Sequence, residues 1–142
     1  MSRIDHLGSR MTGLVDELDK GDVAACTNLL IVAVVDGTGV DDLAEVRDTL
    51  AQWRTHGALP TGLRIELDAA RIRAEFTAHT CRQNDDPAGQ LAAFCRARAL
   101  DCLLRATIPG LSREAFTEVV YEAAAAIGRE AVSAALSEYV PA

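Results

Sequence analysis

The chain has 142 residues, of which 49% are hydrophobic and 25% charged, and its net charge is −7. This length and composition exclude a disordered chain and fit a single domain that spans residues 1–142. The negative charge disfavours nucleic acid as a partner and suits a basic protein partner.

The first predicted element is a helix over residues 3–19, because apolar residues recur there at alternating steps of three and four. Its stripe consists of Ile4, Leu7, Met11, Leu14 and Leu18. Residues 29–35, which follow, are apolar all round and rich in β-branched side chains. They fit either a buried helix that begins near Val23 or a buried strand. Residues 36–39 are typical of a turn.

Two helices are predicted in the middle of the chain. Residues 41–56 place apolar side chains on one face, which are Leu43, Val46, Leu50 and Trp53. Residues 64–83 have two apolar faces, which is typical of a helix that lies between two neighbours. The larger face consists of Ile65, Ala69, Ile72, Phe76 and His79, and we expect it to be buried. The smaller face consists of Leu67, Ala70, Ala74, Ala78 and Cys81.

Two further helices complete the chain. Residues 88–107 carry a stripe of Leu91, Cys95, Ala99, Cys102 and Ala106. Residues 112–139 are predicted as one continuous helix. Its expected core face is Phe116, Val120, Ala123, Ile127, Ala131 and Ala134, and its expected exposed face begins with Glu114, Glu118 and Glu122.

These elements predict an all-α fold, an irregular bundle of five or six helices. One alternative stays open, since residues 63–67 alternate between apolar and polar side chains as a strand does. Residues 29–35 and 63–67 would then pair in a small parallel sheet of an α/β fold.

The last predicted helix has a second apolar stripe within an arc of roughly 80° at 100° per residue. Its members are Tyr121, Ala125, Gly128, Val132, Leu136 and Tyr139. A terminal helix has few neighbours, so this stripe is either internal or covered by a second copy of the chain. The second interpretation predicts a homodimer in which Gly128 permits close helix contact.

The sequence gives little support for a membrane, secretion or metal-binding role. The longest strictly apolar run, residues 29–35, is too short to cross a bilayer, and the first residues lack the pattern of a signal peptide. The four cysteines have no CxxC spacing, which fits reduced, buried thiols. We therefore expect a cytoplasmic protein with no membrane partner and no metal.

Two groups of polar residues are candidate ligand sites. Glu75 and His79 lie four residues apart on a helix, so both can point at one metal, haem or proton. A half-buried histidine held by a hydrogen bond explains the same pattern. Arg98 and Arg105 can bind an anionic ligand, or they can form a charge ladder with Asp101 at spacings of three and four.

No nucleophile–base pair or phosphate-binding glycine loop is present, so no catalytic residue is assigned. Our first hypothesis is a non-catalytic helical module for protein interaction or regulation that self-associates. The alternative is a small-molecule, haem or metal-binding helical protein, either catalytic or not, with a site near His79. The sequence leaves any cofactor undetermined.

Overall fold

The computed structural model describes residues 8–140, which contain seven α-helices and no strand. The helices are α1 (Ser9–Glu17), α2 (Val23–Thr38), α3 (Ala44–His56), α4 (Thr61–Gln83), α5 (Pro87–Ala106), α6 (Arg113–Ile127) and α7 (Arg129–Ser137). Short 3₁₀ turns lie at Lys20–Asp22 and Val40–Asp42. The all-α prediction is confirmed, and the parallel sheet is wrong because residues 29–35 and 63–67 are helical.

The core is a single cluster to which every helix contributes buried side chains. α2 lies at its centre, packed against α5, α6 and α7. Its buried residues are Val23, Cys26, Thr27, Leu30, Ile31, Val34 and Val35. By length and composition alone the segment Lys20–Thr38 would also suit a membrane span. Burial on several sides accounts for the apolar run that made residues 29–35 ambiguous.

α2 extends through the residues predicted as a turn. It ends only at Gly39, whose φ of 70° and ψ of 21° place it in the left-handed region. Gly37 lies within the last turn, and a Cβ atom there would come within 2.7 Å of Cγ2 of Ile127. Glycine at position 37 is therefore needed for the close approach of α2 and α6, rather than for a turn.

α1 is the part of the first predicted helix that lies within the described residues. It starts at Ser9, after Gly8 adopts a φ of 98°, while Ile4 and Leu7 of the predicted stripe lie outside the described residues. Met11 and Leu18 are buried as expected. The last carbonyl groups of α1 accept hydrogen bonds from Arg113, whose Nη2 lies 2.7 Å from the Leu18 oxygen. This arginine ties α1 to the first turn of α6.

α4 and α5 form a long antiparallel hairpin with the most extensive helix contact in the described chain. The hairpin turn is fixed at the start of α5, where the Asp86 carboxylate accepts a hydrogen bond from the Gly89 amide at 3.0 Å. At the other end, Arg64 Nη2 donates to the Leu104 carbonyl at 2.6 Å. The C-terminus of α5 is thus capped by a side chain of α4.

The predicted last helix is divided in two. Gly128 ends α6 with a φ of 95° and a ψ of 157°, a conformation that side chains other than glycine rarely adopt. The predicted core face is buried up to that point at Phe116, Val120 and Ala123. Beyond it the prediction is wrong, since Ala131 and Ala134 are exposed.

Candidate functional site

Of the two apolar faces of α4, the smaller is packed as predicted and the larger is not. The smaller face is directed inward, with Leu67 fully buried. The larger face is directed outward, and 65% of Ile65, 53% of Ile72 and 70% of Phe76 is exposed. We name Ile65, Ala69, Ile72 and Phe76 the outer stripe. Its exposure is unusual, because large apolar side chains that share one face of a helix normally have a cover.

Glu75 and His79 have different surroundings. His79 is exposed, beside the outer stripe. Glu75 accepts a hydrogen bond from Arg98 and lies 3.0 Å from Nη1 of Arg71. Although burial opposes the charge of Arg71, hydrogen bonds and attraction from Asp68 and Glu75 raise its pKa. The Glu75 carboxylate is therefore already neutralised by arginines of the chain itself.

Arg98 lies at the meeting point of α4, α5 and α6. Its Nη2 donates to Glu75, and its Nη1 lies 3.0 Å from the Glu122 carboxylate, which is fully buried. The Arg98 Nε is buried without a hydrogen-bond partner in the described residues. Because carboxylates of the chain occupy both Nη atoms, Arg98 joins three helices and offers no free charge to a ligand.

The predicted charge ladder of α5 is present. Asp101 Oδ2 lies 3.2 Å from Nε of Arg105 and 3.6 Å from Nη1 of Arg98. Arg105 is partly exposed, but its charge is balanced by Asp101 within the same helix. The ladder is thus a feature of α5 and its neighbours, and it leaves little support for the predicted anion site.

Glu122 is the residue of this cluster that the sequence analysis placed wrongly. It was expected on the exposed face of the last helix, yet it is fully buried against Arg98. The nearby Cys102 is buried as well, with its Sγ 3.8 Å from the Val119 carbonyl oxygen. Burial, followed by repulsion from Glu122 and Asp101, raises the pKa of Cys102 to about 12. Its thiol is therefore protonated and unreactive at neutral pH.

The second apolar stripe of the last helix is covered by the chain itself. Val132 and Leu136 are fully buried in the core, and Gly128 is the residue at which α6 ends. Tyr121, Ala125 and Tyr139 are half-buried. A dimer interface built on Leu136 would require this part of the core to open, so the stripe is not a surface for a second copy.

A cleft of about 630 Å³ lies where the start of α2 meets Trp53 of α3 and the loop before α6. Val23, Ile108 and Leu111 supply apolar walls, and Lys20 and Arg113 are its charged lining residues. We name it the Trp53 cleft. Trp53 Nε1 donates to Oδ1 of Asn28 at 3.0 Å, which fixes the indole against α2.

Comparison with protein-family models, with the curated proteins and with the solved structures gives no match to this chain. Within residues 8–140 no group of three or more histidine, cysteine or acidic side chains is placed to hold a metal ion. The features that stand out are the outer stripe of α4 and the Trp53 cleft.

The sequence carried a signal for one of these features and none for the other. The outer stripe was visible as helical periodicity, and only its direction was wrong. The Trp53 cleft unites Lys20, Trp53 and Arg113, which are far apart in the chain and share no motif. Only the packing of α2, α3 and α6 brings them together.

Proposed function

We propose that this chain is a non-catalytic helical module that acts through protein contacts and self-associates through the outer stripe of α4. The observation that carries the proposal is the exposure of Ile65, Ile72 and Phe76 on one face of a 23-residue helix. Burial of such side chains against a partner would remove apolar surface from water and stabilise the complex.

The spacing of the outer stripe favours another helix as the cover. Ile65, Ala69, Ile72, Phe76 and His79 follow one another at steps of four, three, four and three. This is the seam pattern of helices that pack side by side. A seam of roughly two heptads is short, so the remaining hairpin must help to hold α4 straight.

A second copy in antiparallel orientation fits the stripe better than a parallel one. With the twofold axis next to Ile72, Ala69 of each copy lies opposite Phe76 of the other. A small residue then faces a large one on both sides of the axis, while the two Ile72 side chains meet near the centre. This arrangement uses the same patch on both subunits, as a twofold dimer requires.

The alternative function, a ligand site near His79, has less support. His79 is exposed, and the Glu75 carboxylate is held by Arg71 and Arg98. A haem or metal site would need more ligands from neighbouring elements.

Light scattering of three purified proteins tests the self-association. We expect wild type to be a dimer and Ile72→Glu to be a monomer, because the substitution places a charge at the centre of the interface. Val32→Glu is the matched control, since Val32 is 52% exposed and Ile72 53%, and Val32 lies on α2 away from the stripe. Circular dichroism checks that both variants are folded.

The proposal fails if wild type is a monomer at high concentration. It also fails if Val32→Glu dissociates the dimer as completely as Ile72→Glu does. If wild type is a monomer but binds a different protein through Ile72, the proposed interaction module is supported and the proposed self-association is contradicted.

A further inference from the structure

We propose that the Trp53 cleft binds a small amphipathic carboxylate, with the carboxylate at Lys20 and Arg113 and the apolar body against Trp53. The proposal concerns a different face from the outer stripe of α4 and does not depend on self-association. It rests on the size of the cleft, on the sign of the charges that line it and on their placement at one end.

The dimensions of the cleft suit a small molecule. Its volume of about 630 Å³ falls within the range of roughly 300–1,000 Å³ that is usual for ligand pockets. Most of its lining is apolar, with Val23 and Ala24 of α2, Ile108 and Leu111 of the loop before α6, and the Trp53 indole. Ile108 is 43% exposed, although it is large and apolar. A ligand in the cleft would cover part of this surface.

The charged side chains that line the cleft indicate the charge of the ligand that it would bind. The chain has a net charge of −7, yet the charged side chains that line the cleft, Lys20 and Arg113, are both cationic. No carboxylate lines the cleft. The two cationic side chains in the lining therefore favour an anion as the ligand.

Arg113 is well placed to hold a carboxylate. Its Nη1 and Nη2 donate to the carbonyl oxygens of Val15 and Leu18 at 2.6 Å and 2.7 Å. These acceptors are neutral, so they orient the guanidinium without cancelling its charge. A guanidinium has five N–H donors, of which these bonds use two, and the others remain for a ligand.

Lys20 lies at the same end of the cleft. The carbonyl of Leu18, which accepts a hydrogen bond from Arg113, directly follows the last residue of α1, Glu17, and is two residues before Lys20. Trp53 and Asn28 line the cleft from α3 and α2, with the indole N–H already engaged by Asn28. The cleft therefore has a cationic end and an apolar wall, which matches a carboxylate with a hydrocarbon or aromatic body.

Trp53 is the single tryptophan of the chain, so its fluorescence reports on the Trp53 cleft and on a smaller pocket beside Leu50 and Arg54 that the same indole lines. The variants described below distinguish the two. The full chain is titrated with decanoate, decan-1-ol and decyltrimethylammonium, each below the concentration at which it forms micelles. We expect a saturable change with decanoate, a weaker affinity for the alcohol and the weakest for the cation. Equal affinity for the cation and decanoate would overturn the proposal, as would the lack of a saturable change with decanoate.

Two pairs of variants locate the binding. Lys20→Glu should weaken decanoate binding by about twofold to fivefold, as expected for one exposed charge pair, and leave decanol binding unchanged. Arg82→Glu changes the net charge equally at an exposed position on α4 and should have little effect. If Arg82→Glu weakens decanoate binding as much as Lys20→Glu does, the cleft charges are not responsible.

Ala24→Phe fills the cleft from the exposed surface of α2 and should abolish the change in Trp53 fluorescence. Ala25→Phe adds the same side chain to the neighbouring exposed position outside the cleft lining, and it should bind decanoate as wild type does. Normal decanoate binding by Ala24→Phe, with the fold intact by circular dichroism, would contradict the assignment.

Discussion

The apolar stripes of α4 and α7 have the same helical spacing but differ in burial: the stripe of α4 is exposed, and that of α7 is packed in the core. Ile72 and Phe76 were expected in the core and are more than half exposed, while Val132 and Leu136, for which the sequence left a core and an interface position open, are fully buried. Both stripes have helical spacing, so periodicity identifies an apolar face without identifying its cover. Whether an apolar face is buried depends on which other helices pack against it, and these helices are far away in the sequence.

The break at Gly128 explains why Val132 and Leu136 are buried. A continuous helix would align Ala131 and Ala134 with the core face of α6. Because Gly128 leaves the helical region, α7 restarts as a separate helix that packs against α1, α2 and α6, with Val132 and Leu136 buried. A single backbone conformation thus changes which side of the following helix is buried.

The exposure of the outer stripe follows from the position of α5, the helix against which α4 packs. α5 and the core lie on the side of Leu67 and Ala70, where small residues allow the two helices of the hairpin to approach closely. The bulkier side chains of Ile72 and Phe76 are left on the opposite side. α3 contacts α4 only over a limited length, so it does not cover the outer stripe.

Leu136→Ala is expected to have the largest effect on stability. Leu136 is fully buried, and such truncations lower the free energy of unfolding by about 2–5 kcal/mol. Urea denaturation of the variant and of wild type measures the difference. A loss below about 1 kcal/mol would mean that α7 does not pack in the core as described.

Gly128→Ala should have the next largest effect. The φ of 95° and ψ of 157° at this residue disfavour any side chain, which predicts a loss of about 1–3 kcal/mol. Gly13→Ala is the matched control. Gly13 lies inside α1, and the added Cβ would have no atom within 4 Å apart from those of its chain neighbours and of the helix backbone. That variant should gain about 0.5–1 kcal/mol from helix propensity. If Gly128→Ala stabilises the protein as much as Gly13→Ala does, Gly128 does not adopt the non-helical conformation that separates α6 from α7.

Ile72→Ala and Phe76→Ala should have the smallest effects on the free energy of unfolding. In dilute protein, where the chain is monomeric, we expect a loss below about 1 kcal/mol for each, because their side chains are already largely in water. Thermal melts at low concentration provide the measurement. Losses as large as those expected for Leu136→Ala would show that Ile72 and Phe76 are buried in the core, which would contradict the structure.

Much of the fold was accessible from the sequence, because α3, α4 and α5 have clear periodicity and local stop signals. The ends of α5 were predicted within one residue, where Pro87 and the Asp86 cap mark its start. The burial of Glu122 was not accessible, since its partner Arg98 lies 24 positions away on another helix. The candidate sites depend on such distant contacts, which is why they were predicted less well than the helices.

The concentration dependence of stability tests the central claim most directly, namely that the outer stripe of α4 is a free surface that a second copy covers. Partner binding stabilises the folded state by mass action, so the melting temperature of a dimer rises with protein concentration. We expect this rise for wild type and for Val32→Glu, and we expect Ile72→Glu to melt at one temperature across the same range. A wild-type melting temperature that does not change with concentration would contradict the account.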